Sequence, residues 1–243
     1  MASNRVLGVP IDGLGWGAIE GKLKAGEKLW MVTANPEILL RARKDKKYRE
    51  VISSAELRLV DGFGLFLVSY VLRRKTVRLT GVELSEHLLQ YAWKNHLRVG
   101  LLGGEFGEAG GAAEKILEAY PGLELLAEEG GGITESGSED AKAEAARERL
   151  ILFSPQILLV AFGAPRQELW IHEHRNEFAD LRAVVGVGGT FNFWAGRIRR
   201  APAWMRTVGL EWAWRLLQEP RRIGRIWRAV VIFPILALFD SFR

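Results

Sequence analysis

The sequence predicts an α/β fold, a Rossmann-like parallel sheet flanked by helices, with a basic helical appendage at its C-terminal end. Three observations carry this expectation. Short β-branched or leucine-rich runs alternate with longer helical stretches. Two of the runs, Val99–Leu102 and Ile157–Phe162, are apolar throughout, as strands covered on both faces are. Composition then changes near Gly196, where arginine and tryptophan take over.

The expected strands, in order, are Val6–Val9, Leu29–Thr33, Leu57–Val60, Val99–Leu102, Ile157–Phe162 and Val184–Val187. The expected helices are Pro36–Lys46, Gly64–Leu72, Leu84–Lys94, Ala109–Ala119, Ser138–Leu150 and Pro165–Arg175. Such alternation argues for parallel strands joined by helical crossovers. Residues 1–195 are expected to form the catalytic α/β domain, and residues 196–243 an Arg/Trp-rich helical membrane-association appendage.

Charge supports the same division. From Gly196 onward there are ten arginines, no lysines, three acids and four tryptophans, a net charge of +7. The whole 243-residue chain carries +5, so the body alone is near −2. Arginine and tryptophan ahead of the apolar run Ala229–Phe239 suit a surface that is anionic outside and greasy beneath, as a bilayer interface is. That run has eleven residues, broken by Pro234, whereas spanning a bilayer takes about 20. The tail is therefore expected to lie on a membrane and not to cross it. The absence of cysteine excludes disulfides and thiolate metal sites, and the start of the chain has no signal-peptide pattern.

Ligands of open parallel sheets bind at the carboxyl ends of the strands, so the residues after each strand are the candidate site. They are Thr33-Ala34-Asn35-Pro36, Asp61-Gly62, Gly103-Gly104-Glu105, Gly163-Ala164-Pro165-Arg166-Gln167-Glu168 and Gly188-Gly189-Thr190. Gly103 and Gly104 could bring backbone N–H groups to a diphosphate at a helix start, or could simply make a tight turn. Gly13-Leu14-Gly15-Trp16-Gly17 is not a dinucleotide fingerprint, and no acid follows the second strand to hold a ribose. Asp61, after an apolar strand, fits a general base and equally fits a helix cap. Arg78, beside a glycine turn, suits a phosphate or carboxylate and equally an exposed structural position. The Gln167 amide could read a uracil or a sugar, while Glu168 also suits the positive start of a helix. The histidines have no metal-ligand spacing, and neither an Asp-x-Asp pair nor a hydrolase or kinase motif occurs, so no metal or cofactor is expected. Nucleic-acid binding through the tail would leave the polar loops unexplained, and a non-catalytic scaffold would leave Asp61 and its neighbours without a purpose.

The loops coincide with a known family in Thr33-Ala-Asn35-Pro36-Glu37, Val60-Asp61-Gly62, Arg78-x-Thr80-Gly81, Phe162-Gly-x-Pro-x-Gln167-Glu168 and Leu210-Glu211-Trp212-x-x-Arg215. The chain closely resembles the WecG/TagA/CpsF glycosyltransferases, glycosyltransferase family 26, over nearly its whole length. The resemblance implies an inverting, metal-independent enzyme of bacterial surface-polymer synthesis. Its donor would be a UDP-sugar, carrying N-acetylmannosamine or its uronic acid, and its acceptor N-acetylglucosamine on undecaprenyl diphosphate. Another UDP-hexose donor, serving exopolysaccharide synthesis, is the alternative within the family. The resemblance makes Asp61 the catalytic base and Thr33, Asn35, Arg78 and Gln167 pocket residues. It directs Arg200, Arg215, Arg221, Arg222 and Arg225 to the membrane or the acceptor diphosphate. It also implies a peripheral location on the inner face of the cell membrane and leaves room for a homo-oligomer.

Overall fold

The computed structural model describes residues 4–207, 209–220 and 223–241. The chain opens with β1 (Arg5–Val6), β2 (Val9–Pro10) and α1 (Trp16–Lys24). Next come β3 (Leu29–Ala34), α2 (Pro36–Lys44), α3 (Lys46–Ser53), β4 (Leu57–Val60), α4 (Phe63–Val71) and α5 (Gly81–Lys94). The central part holds β5 (Val99–Gly103), α6 (Glu108–Ala119), β6 (Leu125–Glu128), α7 (Ala141–Phe153), β7 (Ile157–Ala161), α8 (Arg166–His174), β8 (Ala183–Gly186) and α9 (Thr190–Trp194). The tail comprises α10 (Ala203–Thr207), α11 (Glu211–Gln218), α12 (Ile223–Trp227), a π-helical turn at Arg228–Ile232 and α13 (Phe233–Ser241).

Strands β3 to β8 form one six-stranded sheet in the order β4-β3-β8-β7-β5-β6, and every pairing is parallel. The expected α/β class and five of the six expected strands are present. Val6–Val9 is not a sheet strand. Leu7 and Gly8 both have positive φ, which turns the chain back so that β1 and β2 pair as a small antiparallel hairpin. The expected helix Pro36–Lys46 is present as α2 and stops at Lys44, where Asp45 ends it; α3, which is not among the expected helices, starts directly after, with the Asp45 carboxylate accepting the Tyr48 N–H at 3.0 Å.

Side chains alternate between the two faces of the sheet. Trp30, Val32, Ala34, Leu158 and Val160 belong to one apolar layer, and Met31, Leu59, Leu159 and Val185 to the other. The first layer also takes in Phe233 and Ala237 from α13, both 0% exposed, against Leu65 and Val68 of α4. The tail therefore returns to the body and completes part of its core.

Candidate active site

Register brings the ends of β3 and β4 level, since Ala34 pairs with Val60. The loops after β3, β4, β7 and β8 converge there on a cavity of about 410 Å³. Thr33, Asn35, Asp61, Arg78 and Gln167 line it, and the tail contributes Arg215 and Arg225. Residues from four of the five loops expected after the strands, together with Arg78, thus share one site.

Asp61 sits at its centre. Its own N–H donates to Ala34 O at 2.9 Å, tying the end of β4 to that of β3. Gly62, at φ +78, turns the chain abruptly into α4, a conformation that L side chains rarely adopt. The segment after α4 returns beside β4, with Leu79 N–H donating to Val60 O at 2.9 Å, and this sets Arg78 on the same wall. The backbone N–H groups of Gly62 and Gly81 lie near enough to the Asp61 carboxylate to favour its charged form. Although half-buried by surface, it lies on the cavity floor, and desolvation is the main reason its pKa rises from 3.8 to about 7. The negative charges of Glu211 and Glu83 push in the same direction, and the two amides push back. A carboxylate so tuned can take a proton from a hydroxyl near neutral pH.

Helix starts frame this group. Thr80 and Glu83 form a reciprocal capping box at α5, which presents the Gly81 N–H to Asp61. The Asn35 Oδ1 accepts Glu37 N–H at 3.0 Å and Ile38 N–H at 3.1 Å, capping α2. Thr33 is buried, and its hydroxyl donates to Gly186 O at 3.2 Å.

Gln167 has a bracing position that the sequence does not suggest. Its Oε1 accepts the N–H groups of Gly163 at 3.1 Å and Gly188 at 3.0 Å, joining the loops after β7 and β8. Its Nε2 donates to Glu168 Oε1 at 2.7 Å, and the Tyr48 hydroxyl donates to Glu168 Oε2 at 2.9 Å. Glu168 is 1% exposed and lies behind the lining instead of in it, with burial raising its pKa. Its geometry is that of a support for Gln167.

Gly103 and Gly104 stand apart from the cavity. They follow β5, which β7 and β8 separate from β3 and β4. A Cβ on Gly103 would lie 2.9 Å from Phe162 Cδ1, and one on Gly104 would lie 3.0 Å from Glu108 Cβ, so both glycines serve close packing. The tail arginines also differ from one another. Arg215 donates to Glu219 at 3.0 Å and lies 5.3 Å from the Phe193 ring centroid. Arg225 donates through Nε to Glu37 Oε1 at 2.9 Å and through Nη2 to its other oxygen. Arg200 turns inward, 3.1 Å from Glu86, 3.7 Å from Glu83 and 4.0 Å from Glu211, and so cross-links α5 and α11. Arg221 and Arg222 lie outside the described residues.

Glu37 and Glu211 stand in the quoted motifs but carry no expected role in the site, and Phe193 is not singled out by the sequence at all. The Thr80-to-Glu83 spacing was a readable capping signal, but nothing local tells that Glu211 folds back beside Asp61. Among the described residues no three His, Asp or Glu side chains group as a metal-ligand set, and no helix is long and apolar enough to cross a membrane.

Comparison with known proteins identifies the family. The model of the WecG/TagA/CpsF glycosyl transferase family matches residues 4–243. An N-acetylglucosaminyldiphosphoundecaprenol N-acetyl-beta-D-mannosaminyltransferase of Staphylococcus aureus strain MRSA252 is 37% identical over 207 residues, 84% of this chain and 78% of that protein. The proteins of the same name from strains MW2 and NCTC 8325 are each 35% identical over 206 residues, with the same coverage. With a family match that runs through the cavity loops and on through the tail, the chain belongs to the WecG/TagA/CpsF family of glycosyltransferases.

Proposed function

We propose that this glycosyltransferase moves N-acetylmannosamine from UDP onto the N-acetylglucosamine of an undecaprenyl-diphosphate acceptor, the reaction for which its relatives are named. The observation that carries the chemistry is Asp61, a carboxylate near pH 7 on the floor of a cavity lined by arginines. An acceptor hydroxyl attacks the anomeric carbon of the donor as the bond from that carbon to the UDP oxygen breaks. The hydroxyl proton passes to Asp61, and a single displacement inverts the anomeric centre. UDP departs with growing negative charge. Arg78, Arg215 and Arg225 line the same cavity and supply the compensating positive field.

The tail fits a lipid-bound acceptor. Trp204, Ile223, Trp227 and Phe239 are each more than 60% exposed, an arrangement that suits an interfacial helix array beside the cavity mouth. We place the enzyme peripherally on the membrane face that carries the acceptor.

A transfer assay with a short-chain lipid-diphosphate N-acetylglucosamine acceptor and a panel of UDP-sugars tests the reading. Transfer from UDP-N-acetylmannosamine is expected, and D61N should lower turnover about 10²–10⁴-fold. Preference for another UDP-hexose would replace the donor while keeping the mechanism. Near-wild-type turnover by D61N would remove Asp61 from its role.

A further inference from the structure

The near-neutral charge of the body conceals a second basic, apolar block. Residues 62–82 contain no acid, four bases (Arg73, Arg74, Lys75 and Arg78) and the most apolar body helix, α4. One side of α4 is spent on the core through Leu65 and Val68, and α13 packs beside it. A different stripe is left in solvent. Leu67 is 42% exposed, Tyr70 72% and Val71 53%, at the spacing of one helix face. Arg73 and Lys75 are exposed directly after the helix, and Val77 beyond them is exposed as well. At the other end, Phe63 borders the cavity, so the stripe starts at the mouth of the site.

We propose that α4 and the Arg73–Lys75 turn form a second lipid-contacting element, so that the enzyme docks on an anionic membrane through body and tail together. Two features favour lipid over a protein partner. The apolar stripe ends in clustered cations with no intervening acid, the pattern that complements anionic headgroups above hydrocarbon. The stripe is also continuous with the cavity mouth and adjoins α13, whose Ile235 and Phe239 are exposed. The proposal rests on the reading of the acceptor as lipid-linked. It adds that the cavity mouth is flanked by lipid-contacting elements of both the body and the tail.

The test is flotation of the full-length chain with phosphatidylcholine vesicles, with or without an equal part of phosphatidylglycerol. R73Q/K75Q should weaken binding to the anionic vesicles about 30-fold, the loss of two basic contacts. L67S/Y70S should weaken binding to both kinds. A tail variant, I223S/W227S, should act independently of either. All these positions are exposed, so unchanged thermal melts would verify folding, and transfer to a water-soluble acceptor should stay at the wild-type level in the α4 variants. Wild-type vesicle binding by both α4 variants overturns the proposal, whatever the tail variant does. A wild-type dimer that the α4 substitutions convert to monomer, with vesicle binding unchanged, also overturns it and assigns the face to a second copy of the chain. Absence of transferase activity in the wild type would count against the catalytic reading alone, because flotation does not depend on turnover.

Discussion

Asp61 combines two properties that D61N separates. Its pKa of about 7, against 3.8 for an ordinary aspartate, means that the native protein keeps a proton the unfolded chain has already lost. Stability contributed by this group is therefore greatest at low pH and declines as pH rises from about 4 to about 7. D61N removes the buried charge while keeping an acceptor for the Gly62 and Gly81 amides. Its melting temperature should equal or exceed that of the wild type at pH 8, and the difference should vanish toward pH 4. Catalysis through Asp61 as the proposed base would run the other way, because a base must be ionised. The wild-type kcat/KM should fall tenfold per pH unit below about 7, and the small residual rate of D61N should lack that limb. Stability curves and pH–rate profiles on the same two proteins check both signs.

At the scale of elements, the site is a set of helix starts and strand ends held in register, and single side chains serve both purposes. Asn35 caps α2 through Oδ1, yet it lines the cavity. N35D retains a capping acceptor and should keep its stability, whereas N35A should lose about 1 kcal/mol. A loss of turnover in N35D without a loss of stability would assign the amide to substrate contact. Gly186 gives a related test: a Cβ there would approach Gln167 Nε2 to 2.5 Å. G186A should dislodge the brace between the β7 and β8 loops and raise KM for the donor. The same scale explains what could be read beforehand. Long apolar runs such as Ile157–Ala161 declare buried parallel strands, and polar residues after them declare the site. Strand order is set by which crossovers pack on which face, and no local pattern encodes it. No local pattern therefore tells that Gly103 and Gly104 fall outside the cavity lining. β6 escaped because an edge strand of half-buried Leu-Leu-Ala-Glu has no continuous apolar signature. The β1–β2 hairpin escaped because its turn puts a leucine, Leu7, at positive φ.

At the scale of the molecule, the tail is joined to the body by packing as well as by charge. Phe233 is fully buried among core side chains, so F233A should cost about 3–5 kcal/mol and lower the melting temperature of the whole chain in a single transition. Retention of wild-type stability, checked by denaturant unfolding, would mean that the tail is only loosely attached. Arg225 meets Glu37 of α2, and Arg200 spans α5 and α11, which adds polar ties to the apolar one. A tail fastened in this way has no slack. If the tail docks on lipid as proposed, it would act as a gauge, because the rise from the exposed Trp227 to the Asp61 carboxylate is set by packing and not by the reach of a tether. On that reading only a hydroxyl carried at the matching height above the surface would meet Asp61, so the fold itself would measure how many sugars already stand on the lipid before the next is added.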